Sequence, residues 1–221
     1  MSNSVLAPPI LSAVPGRRAA AKERTRRKIM AAAKRMFSAI GYERTTIRDI
    51  AAECGMSTGA VFASFTSKAE LFGVLVLADR LAAYEIIGDT LRARLEDPGA
   101  TVDDVLLAMF ESAYRSRAEN LPFVQVAMSA AWSTELGDYI RKVIAHRPIS
   151  DHIAVALQAA VDRGQLSTGA DIPLLSQMLW DCALGMIPRA VFDGWSVDRL
   201  EEQLRAEIRT ILGGFRPRPA G

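Results

Sequence analysis

The chain has 221 residues, half of them hydrophobic and 24% charged, a globular balance that excludes disorder over most of its length. The longest apolar run, Leu71 to Ala78, falls well short of the ~20 residues that a membrane-spanning helix needs. Cys54 and Cys182 are too far apart for a CxxC motif or a disulfide framework, which fits a reduced cytoplasmic setting. The formal charge of +2 is unevenly spread. Twelve Lys and Arg against five acids give residues 1–70 a charge of +7, leaving −5 for the remainder. A basic first third joined to an acidic body suggests one surface for a polyanion and a separate task for the rest.

Residues 1–19 read as a flexible basic tail. Pro8, Pro9 and Pro15 break its weak apolar stretch, and it lacks the basic start of a secretory signal. From Lys22 to Ile40 the apolar positions Ile29, Ala32, Ala33, Met36, Phe37 and Ile40 recur at helical spacing, and Gly41 stops the helix. The basic run Arg17 to Lys28 is either a solvated face or an arm reaching the DNA minor groove or backbone. Thr46 is a natural N-cap, with Asp49 in the place of the capping-box acid. Gly55 ends the short helix that follows. Ser57 caps a third helix through Phe62 or Ser64, on which Val61, Phe62 and Phe65 can point back toward the core. Ser67-Lys68-Ala69-Glu70 is a capping box that opens a long helix to about Leu95, with a possible kink at Gly88.

Further helices are expected near 102–118, 121–145, 149–163, 171–192 and 197–212, separated by Pro- and Gly-containing breaks. No alternating strand pattern and no Gly-rich phosphate loop occurs. The fold class is therefore all-α, with an N-terminal three-helix head over 20–70, a larger helical body over 71–213 and a short tail over 214–221. Two short helices joined by a Gly-containing turn behind a basic helix form a helix-turn-helix. Its second helix presents Ser57, Thr58, Gly59, Ala60 and Ser64, small enough to enter a major groove ~12 Å wide.

The string from Gly41 to Phe72 closely resembles the DNA-binding domain of the TetR family of transcriptional regulators. Matching positions are Gly41, Thr45, Thr46, Ile47, Asp49, Ile50, Ala51, Gly55, Ser57, Gly59, Phe65, Lys68, Glu70 and Leu71, and the strong resemblance covers about residues 20–75. It implies an all-helical homodimer that binds double-stranded operator DNA, usually as a repressor relieved by a small effector in the C-terminal domain. By the same resemblance, Thr45 or Thr46 would hold a phosphate at a helix start, and Lys68 would touch the DNA backbone. Ser57, Thr58 and Gly59 would approach base edges, and Arg48 would reach a base or a phosphate. Phe62 stands where the family usually has an aromatic hydroxyl, and Ser64 where it has Tyr or His. Neither substitution keeps the usual phosphate contact.

In the body, Met109, Phe110, Met128, Trp132, Met178 and Asp181 are candidates for a small, largely apolar effector. For any one of the apolar five, plain core packing is the stronger account, and Asp181 could face a ligand, a dimer mate or water. Arg115, Arg117 and His152 are weaker candidates. The helices at 171–192 and 197–212 correspond to the family's dimerisation pair. Leu175, Leu179, Ala183, Met186, Leu204 and Ile208 line their apolar faces, which either meet a second chain or bury against their own domain. His146 and His152 lack one-face spacing and Pro148 lies between them, so no metal is expected. No cofactor is expected either. An enzyme would need a poised acid, base or nucleophile, and no such constellation is spaced along the chain. A DNA-binding regulator without a ligand is the nearer alternative to a ligand-released repressor.

Overall fold

The computed structural model describes residues 17–118, 120–131, 136 and 148–217. Among these residues there are nine α-helices and one 3-10 turn, with no strand. In chain order they are α1 (Arg17–Ile40), α2 (Ile47–Glu53), α3 (Thr58–Phe62), α4 (Lys68–Leu95), α5 (Val102–Ala118), α6 (Leu121–Ala131), α7 (Pro148–Asp162), α8 (Ile172–Phe192) and α9 (Val197–Leu212), with the 3-10 turn at Gly213–Phe215. The basic run is helical from Arg17 onward, so Arg17 to Lys28 form the first turns of α1 and not an extended arm. The helix expected over 121–145 is described to Ala131, and Leu136 lies in a turn; the remainder of that span, with Trp132, lies outside the described residues.

The helix ends follow local chemistry. Gly41 and Gly55 take φ of +84° and +63°, left-handed values that cost a residue with a side chain. Thr46 and Asp49 form the full reciprocal capping box of α2. At α4 the expected box forms only in half. Ser67 accepts from the Glu70 amide, but the Glu70 carboxylate reaches one residue further back, to the amide and hydroxyl of Thr66, both at 2.6 Å. Asp171 caps α8, which continues through Pro188 to Phe192.

Buried side chains fall into two clusters. The head cluster joins Ile29, Ala33 and Phe37 of α1, Ile50 of α2, Val61 of α3 and Phe65 to Leu71, Phe72, Leu75 and Val76 of α4, with Phe123 of α6 closing it. Phe37 meets Phe72 edge-on at 5.1 Å between centroids. The body cluster gathers one face each of α5, α7, α8 and α9 around Ile87 and Leu91 of α4. The long α4 therefore serves both cores. Where α4 meets α7, a Cβ on Gly88 would stand 2.8 Å from the His152 Nε2, so any other residue there would displace the imidazole.

Candidate nucleic-acid interface and effector cleft

The two short helices of the head are braced from behind. Thr45 is fully buried and donates its hydroxyl to the Gly41 carbonyl at 2.7 Å. It cannot hold a phosphate, and that expectation is corrected: the hydroxyl closes the α1–α2 turn. Thr46 is exposed, but its hydroxyl is engaged with Asp49 Oδ2 at 2.6 Å. The Thr46 hydroxyl and amide hold the Asp49 carboxyl below its ordinary pKa. The first-turn amides of Ile47 and Arg48 have no acceptor within the helix, and the Arg44 and Arg48 side chains are exposed.

The Lys68 ammonium is also occupied. It donates to the carbonyls of Tyr42 at 2.9 Å and Thr45 at 3.1 Å, with Glu43 at 3.4 Å, and lies 4.2 Å from the Tyr42 ring centre. This corrects the picture of Lys68 as a cation free for DNA: it ties the start of α4 to the α1–α2 turn. Arg26 does similar work for α3. It donates to the Ser64 carbonyl at 2.7 Å and covers the Phe65 ring at 4.0 Å.

On α3 the inward face is Val61, with Phe65 just beyond, both buried. Phe62 does not point back as the periodicity allowed; it is 53% exposed. Ser57 caps the helix by accepting from the Ala60 amide at 3.2 Å. Thr58 and Gly59 are exposed, Ala60 is half-buried, and the Ser64 hydroxyl bonds back to the Ala60 carbonyl at 3.4 Å. Gly59 is the second residue of α3, in its first turn. An added Cβ would meet only Ser57 Oγ at 3.8 Å, so nothing within the chain requires glycine there.

The body rearranges the expected sites. Met109 and Phe110 are buried core residues, and Met128 packs against the same core. Met178 and Asp181 are exposed on α8, with Asp181 accepting from Gln177 at 2.6 Å. An exposed carboxylate and an outward methionine do not build a pocket, so both assignments are corrected. A small cleft with room for about 50 Å³ opens where the end of α5 and the start of α6 meet α8 and the α8–α9 loop. Its walls include Tyr114, Arg117, Leu121, Val124, Ile187 and Trp195. The Tyr114 hydroxyl donates to the Ala183 carbonyl at 2.8 Å, and burial pushes its pKa up. Of these residues only Arg117 was singled out in the sequence. The available signal was Tyr114 and Arg117 three positions apart, on one face of the helix.

The six expected dimer residues are corrected as well. Leu175, Leu179, Ala183, Met186, Leu204 and Ile208 are all buried in the body core of their own chain. The amphipathic faces of α8 and α9 pack against α5, α7 and each other. The outward apolar residues of α8 are Leu174 at 54%, Met178 at 42% and Phe192 at 59% exposure, with exposed Gly185 between them.

Comparison with known proteins agrees with this arrangement. A family model described as bacterial regulatory proteins, tetR family, matches residues 29–75. The probable HTH-type transcriptional regulator ArpR of Pseudomonas putida is 30% identical over 90% of this chain and 94% of its own. The HTH-type transcriptional repressor AcnR of Corynebacterium glutamicum is 28% identical over 81% and 88%. The structure of SmeT, the repressor of the Stenotrophomonas maltophilia multidrug efflux pump SmeDEF, superposes with a TM-score of 0.65 at 26% identity, covering 89% of this chain and 93% of SmeT. SmeT has also been solved as a complex with triclosan. With the helix-turn-helix in place and relatives matched over nearly the whole chain, the protein belongs to the TetR family of helix-turn-helix transcriptional regulators.

Proposed function

We propose that this regulator is a cytoplasmic homodimeric repressor, which grips operator DNA with α3 of each chain and lets go when a small molecule enters the body. The DNA-binding head is taken as 20–70 and the effector and dimer body as 71–213. The observation that carries the DNA reading is Gly59. A first-turn glycine whose added Cβ would meet only Ser57 Oγ, at 3.8 Å, is explained by a partner that approaches the backbone of α3 closely. The outward surface of Ser57, Thr58, Gly59 and Ala60 would read base edges, with exposed Phe62 making apolar contacts. The Ile47 and Arg48 amides at the start of α2 would hold a phosphate in place of Thr45, and Arg44 and Arg48 would add charge. The AcnR and SmeT names favour repression. The triclosan complex of SmeT favours release by a ligand.

The homodimer reading rests on the outward stripe of α8, Leu174, Met178 and Phe192, large apolar residues that a second copy would cover. Two reading helices would then fit half-sites ~34–36 Å apart, and a ligand would release DNA by favouring a different separation.

The test is fluorescence anisotropy with duplexes enriched by the full chain from a random pool. With six or more phosphates neutralised per dimer, log affinity should fall against log salt with a slope near about −5. Salt-independent association, or binding as a monomer, would overturn the reading. Sedimentation of Leu174→Glu/Met178→Glu should give folded monomer; an intact dimer would place the interface elsewhere.

A further inference from the structure

Helix α4 enters both buried clusters, and between its two buried stretches it carries Asp79. The carboxylate is largely enclosed, with the side chain 14% exposed. Its two oxygens are shared between cations from different parts of the chain. Oδ1 lies 3.8 Å from Lys34 Nζ of α1, in the head. Oδ2 lies 3.8 Å from Arg117 Nε at the end of α5, in the body. Both separations are ion-pair contacts, longer than a hydrogen bond. Arg117 Nε is buried without a hydrogen-bond partner. Burial pulls the pKa of this guanidinium down, against Asp79 and Tyr114, which hold it up.

The other nearby carboxylate serves different groups. Glu207 of α9 acts on the Tyr114 hydroxyl and the Cys182 thiol, and Gln203 donates to it at 2.9 Å. Among the described residues, Asp79 is therefore the one carboxylate in ion-pair contact with Lys34 or with Arg117. Much of the remaining contact between head and body is apolar. Phe123 of α6 closes the head cluster, 5.7 Å from the Phe72 ring and 5.2 Å from Lys34 Nζ. Apolar contact is non-directional, so it tolerates one helix sliding over another. A carboxylate between two cations on different elements does not. Tilting α1 away from α5 lengthens at least one pair, and a buried guanidinium that loses its counter-charge is costly. Asp79 thus resists a change of angle between head and body.

We propose that Asp79 is a positioning residue for operator recognition: by holding α1 and α5 on its two oxygens it fixes the angle of the head, and with it the half-site spacing that the dimer accepts. The inference rests on the homodimeric operator-binding reading above and names the side chain that sets the spacing. One base pair moves a half-site by ~3.4 Å. The angle at which each head is held decides which separation both α3 helices can fill at once.

The test measures affinity of the full chain for duplexes that keep the enriched half-sites and change their separation by one or two base pairs. Wild-type protein should prefer one spacing over its nearest neighbours by at least about tenfold. Asp79→Asn and Lys34→Gln should each reduce that preference to about threefold or less. Lys34→Arg keeps the charge and should keep the profile. Losing a charge near DNA weakens every spacing alike and flattens the salt slope, so the ratio between spacings isolates the positioning role. Arg163→Gln controls for stability. Arg163 ties the far end of α4, donating to the Leu95 and Asp97 carbonyls; its loss should lower the melting temperature and leave the spacing preference intact. Should Asp79→Asn fail to fold, Lys34→Gln decides, since that side chain is 32% exposed. A wild-type profile retained in either variant that folds would overturn the proposal. So would a profile flattened equally in Lys34→Arg or Arg163→Gln. Wild-type protein with no spacing preference would overturn the homodimer reading and this proposal with it, whereas a sharp wild-type profile that the variants keep sinks the proposal alone.

Discussion

Helix α3 exposes one large apolar side chain and helix α8 three, and they came to them by different routes. On α3, Phe62 is exposed beside Thr58 and Gly59 because a five-residue helix has room for one inward anchor, Val61, with Phe65 buried just after it. On α8, twenty-one residues long, the apolar positions go nearly all the way round. Core packing consumes Leu175, Leu179, Ala183 and Met186, and what remains outside is Leu174, Met178 and Phe192. A short capped helix announces its outward face in the sequence. A long helix rich in apolar residues on several sides does not, because which side becomes core depends on what packs against it.

The largest effect expected from breaking this contrast lies in the body. Ile208→Ala should cost about 2–5 kcal/mol of folding stability, since it opens a cavity in a fully buried site. Leu174→Glu should cost little in folding and act on assembly. Chemical denaturation of both, read beside sedimentation, separates a core residue from a surface one; equal destabilisation would erase the distinction drawn between the two faces of α8.

Gly59→Ala sharpens the other side. It should stabilise the helix by less than the interior value of about 1 kcal/mol, because Gly59 lies in the first turn and the new Cβ meets only Ser57 Oγ, at 3.8 Å. At the same time it should weaken DNA binding by about 10–100-fold, as a methyl enters the closest approach to the duplex. A raised melting temperature with unchanged DNA affinity would show that α3 does not come close to DNA at this point.

Lys68→Ala should cost about 1–3 kcal/mol of stability by leaving the Tyr42 and Thr45 carbonyls without their cation. Thr45→Val should act in the same direction and more weakly. If Lys68→Ala leaves the melt unchanged while flattening the salt slope of DNA binding by about one, the ammonium serves DNA and not the turn.

The smallest effect is on pH. The carboxyls of Asp49 and Glu70 are held below their ordinary pKa by the hydroxyls and amides of Thr46 and Thr66, and that of Asp104 by Thr101. A depressed folded pKa means stability that is fully present above the ordinary carboxylate range and is lost as the pH falls through that range toward the folded values. These groups lie at the surface, so the loss should be shallow. Thermal melts across that range should show it, with a flatter dependence in Thr46→Val/Thr66→Val. A steep collapse retained in that variant would point to other groups.

Most of the head was legible before any coordinate. Gly41 and Gly55 could be placed because only glycine readily takes the left-handed turn, and Thr46, Ser57 and Ser67 because N-caps act within three residues of themselves. Those are local interactions, and local interactions are written in adjacent letters. Lys68 was misjudged for the opposite reason: its partners, the carbonyls of Tyr42 and Thr45, become visible only once α1 and α4 converge on the same turn, whereas the Thr45 bond to Gly41 is itself local, four residues back. In the body the periodicity located helices and little else. Which apolar residues face inward, that Asp181 is solvated while Arg117 is not, and that Asp79 stands between Lys34 and Arg117 were decided by the packing of helices up to a hundred positions apart. Burial is a property of the assembled whole, and no spacing rule along a single helix contains it.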